Sequence, residues 1–313
     1  MSSNQTLISI IIPTYKGETT LEKLIKELIQ VFEKYKIEII IVNDCSPDGT
    51  HKICKKLINE FPQSITYIQL SKNFGEHNAV MAGLRNCDGD IALIMDDDYQ
   101  NLPSEALKLA EHTINKDYDV VFTKYQIKKD TFIRNLMSKI ANYCAVSLIN
   151  KPKDLYLSSF KCIKRNLINE VIKYTGPFPY IDGLLLSKTH NIGSCETEHA
   201  ARKNSKSSYS LFKLGKHFSN LIINFSTKPI HLFSSLGIVI LLISIILLIV
   251  TVIEKIINPD LPQGYSYLIG LIIFFSGVQI LFLGLLGEYV GKILKNINKE
   301  DQYFISLIKK RDK

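Results

Sequence analysis

Apolar positions in the first 125 residues fall into two rhythms. Short, nearly continuous runs, LISIIIPTY (7–15), IEIIIVND (37–44), SITYIQL (64–70), DIALIMD (90–96) and YDVVFTK (118–124), are bounded by polar turns and predict strands. Between the first two, Leu21, Leu24, Ile25, Leu28, Ile29 and Phe32 recur at helical spacing across 18–35, and further helices are predicted near 49–61, 78–85 and 103–114. Apolar strands separated by helices of this size predict an α/β fold, a mostly parallel sheet with helices on both faces. Ligands bind such sheets beyond the carboxyl ends of the strands.

The residues at those ends are acidic. Asp44 closes the second run in IIIVNDCSPDGT, where it can grip a base or ribose, and Asp96, Asp97 and Asp98 follow the apolar IALIM. Three adjacent like charges repel, and a divalent cation held by Asp96 and Asp98, with the phosphates attached to it, offsets that repulsion. The plainer alternative is capping: Ser46 and Asp48 precede a helix and carry good cap side chains. No GxGxxG follows the first strand, which argues against an NAD enzyme.

A different pattern begins after residue 228. Pro229 to Ile253 contains no Asp, Glu, Lys or Arg, and a second uncharged run, Leu261 to Gly287, contains small residues such as Gly270, Gly277 and Gly284. Each run is long enough to cross roughly 30 Å of hydrocarbon as a helix. Two transmembrane helices are therefore expected, at about 232–253 and 266–287, rather than a helix pair buried in a soluble core. Residues 202–231 hold six Lys or Arg and no acid, and residues 289–313 hold seven basic and three acidic side chains. The positive-inside rule then places both termini and the N-terminal domain in the cytoplasm of a multi-pass protein of the inner (plasma) membrane. The expected division is a catalytic domain over 1–208, an interfacial amphipathic segment over 209–228, the hairpin within 229–288 and a basic tail over 289–313.

Net charge sharpens the partners. The excess of 38 Lys and Arg over 30 Asp and Glu, +8, suits anionic partners. With no nucleic-acid motif in the chain, it is assigned to phosphate and lipid head groups. The six cysteines are widely spaced without a CxxC pair, which fits reduced thiols rather than zinc or a disulfide framework. The N-terminus lacks the basic region and long apolar core of an export signal.

In order along the chain, IIIPTYKGE, IVNDCSPDGT, LSKNFGEHNAVMAGL, IMDDDYQNLPSE and HAARKNSKSSYSLFKL, followed by the two apolar runs, resemble the family 2 glycosyltransferases that act on polyprenyl phosphates. The resemblance implies a GT-A fold, in which Tyr15, Pro13 and Glu18 line the nucleobase pocket and Asp44 holds the base. It implies a DxD formed by Asp96 and Asp98, with Gln100 as a further ligand of Mg2+ or Mn2+. Asp97 takes the variable middle position and is expected to point outward, since an extended chain sends alternate side chains to opposite sides.

The stretch YLSSFKCIKR is similar to a family segment that makes Lys161 and Arg165 phosphate contacts, with Ser159 where an acid is common; the residues alone also allow an amphipathic surface helix. Asp182 takes the place of a family acid that orients the acceptor or accepts a proton, and by sequence alone it could equally be a helix cap. Arg202 and Lys206, in HAARKNSKSSYS, would clamp donor pyrophosphate or acceptor phosphate on a closing loop.

The function implied is inverting, metal-dependent transfer of a sugar from a UDP- or GDP-sugar to polyprenyl phosphate, undecaprenyl phosphate in the first instance. Transfer to a lipid-linked saccharide or surface polymer, and a catalytically inactive membrane scaffold, are the alternatives. Implied partners are the nucleotide-sugar donor, the polyprenyl phosphate acceptor and the bilayer, with homo-oligomerisation open and no nucleic acid.

Overall fold

The computed structural model describes residues 6–125, 155–198, 265–297 and 301–312, with isolated helical positions between 246 and 257. The chain divides into two units, Met1–Ser210 joined by Lys299–Lys313, and Leu211–Asn298.

The first unit is built on one eight-stranded sheet. Its strands are β1 (Leu7–Thr14), β2 (Lys36–Asn43), β3 (Ile65–Leu70), β4 (Ile91–Ile94), β5 (Val120–Tyr125), β6 (Lys161–Lys164), β7 (Ile192–Thr197) and β8 (Ile305–Lys309). They lie in the order β7-β5-β6-β4-β1-β2-β3-β8. The central strands β4, β1, β2 and β3 run parallel, in a register that sets Ile10 against Ile39 and Leu93. β6 enters antiparallel between β4 and β5, and β8 adds antiparallel to the outer side of β3. Connecting helices are α1 (Leu21–Val31), α2 (Thr50–Glu60), α3 (Glu76–Arg85), α4 (Pro103–Asn115), α5 (Arg165–Val171) and α6 (Ile181–Lys188).

The near-continuous apolar strands are explained by burial on both faces. With period two, Ile8, Ile10, Ile12, Ile39, Ile41 and Leu93 face α1, α2 and α4, whereas Ile11, Ile40, Val42, Ala92 and Ile94 face α3, α5 and α6. Almost all are fully buried, each contributing about 1.5–3 kcal/mol of transfer free energy. Where α3 crosses β1 the approach is tight: a Cβ on Gly83 would strike the Ile11 side chain.

Two readings are revised in this unit. KCIK, inside the stretch that could have been a surface helix, is the internal strand β6, and Lys161 is 3% exposed. The tail expected over 289–313 contains β8, which is hydrogen-bonded into the sheet. Behind it, the Arg311 guanidinium sits 2.9 Å from buried Glu38, whose carboxylate also accepts from Ser9 Oγ and the amides of Asp88 and Gly89. A basic residue that sequence alone leaves in solvent is thus needed to compensate a buried acid.

In the second unit the described helix is α7 (Tyr265–Ile297), 33 residues long, running past the uncharged run through Glu288, Lys292 and Lys295. Among the described residues no helix is long and apolar enough to cross a membrane. This corrects the expected transmembrane hairpin and, with it, the bilayer as partner and the multi-pass inner-membrane placement. An uncharged stretch is necessary for a span, but composition alone does not make one. In place of the expected fold with a membrane hairpin stands an α/β domain. Most of the first expected span, and the whole interfacial segment 209–228, lie outside the described residues.

Candidate active site

Among the described residues, three non-glycine residues have positive φ: Lys16 (65°), Cys45 (54°) and Tyr99 (63°). Each lies just past the carboxyl end of a central parallel strand, β1, β2 and β4 respectively. Left-handed backbone is unfavourable for residues with a Cβ and is retained where surrounding structure enforces it, often at functional edges. Here it is gathered at the edge where an α/β sheet binds its ligand.

The loops after β1 and β2 are stitched together. Lys16 N donates to Ser46 Oγ (3.0 Å), and Ser46 Oγ donates to Asn43 Oδ1 (2.6 Å) at the end of β2. Asp44 N donates to Thr14 O (2.9 Å). Glu18, expected in the nucleobase pocket, accepts from Gly49 N (3.0 Å) at the start of α2. From the turn just before α2, whose N-cap is Gly49, Asp48 accepts from the amide and hydroxyl of Thr50. Pro13 is buried within β1 opposite Val42. Tyr15 is 47% exposed at the rim, with the Lys16 ammonium over its ring, 5.5 Å from the centroid.

Asp44 is 3% exposed and accepts from Phe74 N (2.7 Å) and Gly75 N (2.8 Å), one amide to each oxygen. Burial raises its pKa while the two amides oppose the rise. It fastens the loop leading into α3, where Gly75 takes φ +91° as the chain turns into the helix. The residue so positioned is Glu76.

The triplet after β4 separates into three directions. Asp96 Oδ2 accepts from Ser159 Oγ (2.6 Å), Asp97 accepts from Thr14 Oγ1 on β1, and Asp98 Oδ1 accepts from Gln100 N (3.1 Å) across the left-handed Tyr99. Asp97 therefore does not point outward. It turns inward onto Thr14 and Gly17, so close to Gly17 that a Cβ there would overlap its carboxylate. Burial pushes Asp97 up to about 6; the Thr14 hydrogen bond opposes this, and the charges of Asp96 and Asp98 add to it.

Lys161 and Asp182 form a direct ion pair, with side chains only 4% and 11% exposed. Lys161 reaches it from the first position of β6, beside Ile94, and Asp182 from the first turn of α6. Neither is displayed as a free phosphate contact or proton acceptor. Arg165 is removed from the site altogether. Because β6 runs antiparallel to β4, four residues beyond Lys161 the chain has travelled to the amino end of β4, roughly 13 Å at 3.3 Å per residue. There the Arg165 guanidinium donates to Gly89 O. Arg202 and Lys206 lie outside the described residues.

Sequence reasoning gave Glu76 no role. The field at its carboxylate includes Asp96, Lys161, Asp182 and Asp97, and burial, with Asp96 next, pushes it up to about 7 although one side of the residue remains open to solvent. The available signal was an acid directly after a glycine, at a helix start, beyond the carboxyl end of an apolar strand.

A mostly parallel sheet covered on both faces, with backbone strain and carboxylates gathered at its carboxyl edge, defines an α/β domain with its ligand-binding edge there. Residues 9–174 match the model of glycosyl transferase family 2, and residues 228–293 that of the GtrB C-terminal hairpin. The chain belongs to glycosyl transferase family 2, and it is a nucleotide-sugar-dependent glycosyltransferase.

Among its relatives is the undecaprenyl-phosphate 4-deoxy-4-formamido-L-arabinose transferase of Proteus mirabilis (strain HI4320), 29% identical over 96% of this chain and 93% of that one. Another is the putative glycosyltransferase CsbB of Bacillus subtilis (strain 168), 32% identical over 96% and 92%. Among solved structures, glucosyl-3-phosphoglycerate synthase from Mycobacterium tuberculosis, in complex with Mn2+, UDP and phosphoglyceric acid, aligns with a TM-score of 0.52 at 18% identity, covering 70% of this chain and 77% of that one. At that identity the likeness concerns the fold.

Proposed function

We propose that the protein transfers a sugar from a UDP- or GDP-sugar to a polyprenyl phosphate, with undecaprenyl phosphate as the acceptor. What carries the reading is the convergence of strained loops and the Asp96–Asp98 triplet at the carboxyl edge, in a chain whose full-length relatives include undecaprenyl-phosphate sugar transferases. The exposed Tyr15 ring offers a stacking face for the base at the β1–β2 rim.

The donor set fits a hard divalent cation, Mg2+ or Mn2+. Asp96 and Asp98 would contribute carboxylates and Gln100 an amide oxygen, and burial, with the charges of Asp96 and Asp98 adding to it, raises Asp97 to about 6 beside them. Among the described residues no three His, Cys, Asp or Glu side chains converge as a metal cage. A two-carboxylate site that leaves positions for water and donor phosphate is the usual arrangement for Mg2+. When bound, the cation would neutralise charge on the departing nucleoside diphosphate.

The chain's own residues orient the reactants. Thr14 and Ser159 hold Asp97 and Asp96 apart, and Asp44 sets the α3 loop. A phosphate oxygen of the acceptor attacks the anomeric carbon, the bond from that carbon to the nucleoside diphosphate oxygen breaks, and the configuration inverts. The acceptor is already anionic near neutral pH, so no strong general base is required. That agrees with an Asp182 locked to Lys161.

The test is incubation of the purified protein with detergent-dispersed undecaprenyl phosphate and a panel of UDP- and GDP-sugars, with Mg2+, Mn2+ or EDTA, and identification of the lipid product by mass. A metal-dependent glycosyl phosphate lipid is expected. No such product with any donor overturns the reading.

A further inference from the structure

We infer that Glu76 reads the donor sugar, accepting hydrogen bonds from its hydroxyl groups and discriminating against acidic sugars; the inference rests on the nucleotide-sugar reading above. Across the sheet the strands that shape the edge follow in the order β2, β1, β4, β6. The exposed Tyr15 ring stands after β1, beside the β2 loop, and Asp96 and Asp98 after β4. With strands about 4.8 Å apart, a nucleotide laid from the base rim to the β4 acids carries its sugar onward toward β6 and the start of α6.

His77 at the start of α3 meets Tyr180 at the start of α6, so Glu76 shares the field of Asp96 and of the Lys161–Asp182 pair. Lys161 and Asp182 are buried and bound to each other, so neither can turn to a ligand without breaking the pair. Glu76 keeps a surface open to solvent. Its place is built: the Asp44 carboxylate holds the amides of Phe74 and Gly75, Gly75 supplies the positive φ, and Asn78 Nδ2 donates to Phe74 O (2.8 Å) to close the turn. His77 next to it meets Tyr180 edge-on, centroids 5.2 Å apart, and this ties the starts of α3 and α6 together.

Above about pH 7 Glu76 is ionised and its two oxygens can accept from both hydroxyls of a vicinal diol. Beside Asp96 and Asp97 it adds to a negative field that a neutral sugar tolerates and a uronic acid does not.

The experiment measures binding by calorimetry for the wild type, Glu76→Gln and Glu76→Ala, using neutral and acidic donors in pairs: UDP-glucose with UDP-glucuronic acid, UDP-galactose with UDP-galacturonic acid, and GDP-mannose with GDP-mannuronic acid. UDP and GDP alone are the controls. The wild type is expected to favour the neutral member of the pair it binds by at least about tenfold, and both variants to bring that ratio toward one. Affinity for the bare nucleoside diphosphate and the melting temperature should stay unchanged.

An unchanged ratio in both variants, or nucleoside diphosphate affinity falling in step with donor affinity, overturns the assignment. Transfer to undecaprenyl phosphate is assayed separately. A shifted ratio without lipid product leaves the role of Glu76 standing and removes the acceptor reading, and lipid product with an unshifted ratio does the reverse.

Discussion

Replacing Lys161 by Met separates two roles that the sequence could not. As a phosphate contact, Lys161 would be expendable for folding and its loss would weaken donor binding. As the structure has it, the ammonium is the direct counter-charge of Asp182, with side chains 4% and 11% exposed and the Phe122 ring 5.4 Å from the nitrogen. Lys161→Met then strands a carboxylate in a poorly solvated place. Breaking a buried pair from one side costs about 3–5 kcal/mol, a large share of the roughly 5–15 kcal/mol by which a domain is stable.

Replacing both partners, Lys161→Met with Asp182→Leu, removes the stranded charge and should recover most of the loss, since an apolar pair of similar volume is often as stable as the ions it replaces. Urea unfolding of the single and double variants, followed by tryptophan-independent far-UV signal, gives the cycle; the chain contains no Trp. A Lys161→Met protein as stable as wild type but with weakened UDP affinity would refute the reasoning. So would a double variant no more stable than Lys161→Met.

Other predictions follow from the same site and its supports. Asp98→Asn should abolish transfer more completely than Asp97→Asn, read as lipid product formed in the presence of Mg2+; equal, slight effects would refute the separation of roles. Asp97, pushed up to about 6 from an ordinary 3.8, binds its proton more tightly folded than unfolded. Its stabilising contribution is therefore full below about pH 4 and lost as pH rises through about 6. In EDTA, Asp97→Asn should flatten that part of the stability profile. Gly17→Ala, whose methyl would overlap Asp97 and Thr14, should lower transfer activity by about tenfold or more at little cost to the core, measured as kcat beside the melting temperature. Arg311→Met leaves Glu38, with 2% of its side chain exposed, without its cation; a loss of about 2 kcal/mol or more is expected by urea unfolding, and less when Glu38→Gln accompanies it.

The strands and helices of the sheet unit were legible because two-sided burial writes itself into sequence. Ile10, Ile11 and Ile12 must all be apolar when one face of β1 meets α1 and the other α3, and Leu24 and Leu28 repeat because only one face of α1 is covered. The carboxyl-edge acids were legible as well, since they follow directly on such strands.

What escaped depends on partners distant in sequence. Arg165 and Lys161 are four residues apart and look like one basic group, but an antiparallel strand sends them to opposite ends of the sheet. The burial of Asp97 depends on Thr14, 83 residues earlier. Glu76 is set in place through Asp44, whose carboxylate accepts from the amides of Phe74 and Gly75 some 30 residues further on. The ISLIK strand was hidden because it is only five residues long and lies in a lysine-rich tail. The second uncharged run misled in the opposite direction: among the described residues no helix is long and apolar enough to cross a membrane.

The seating of β8 against β3 gives the sheet unit a discontinuous origin. Lys299–Lys313 belong to the same unit as Met1–Ser210, with Leu211–Asn298 between them in sequence. During synthesis β3 is therefore the bare margin of the sheet, its outward amides and carbonyls unanswered, until the segment beyond Leu211–Asn298 has been translated. A fragment cut at residue 210 would keep that margin for good, an invitation to pair with another chain, and would also lack the guanidinium that Glu38 needs. The smallest piece that can complete the fold of the sheet is not a stretch of sequence but two stretches brought together.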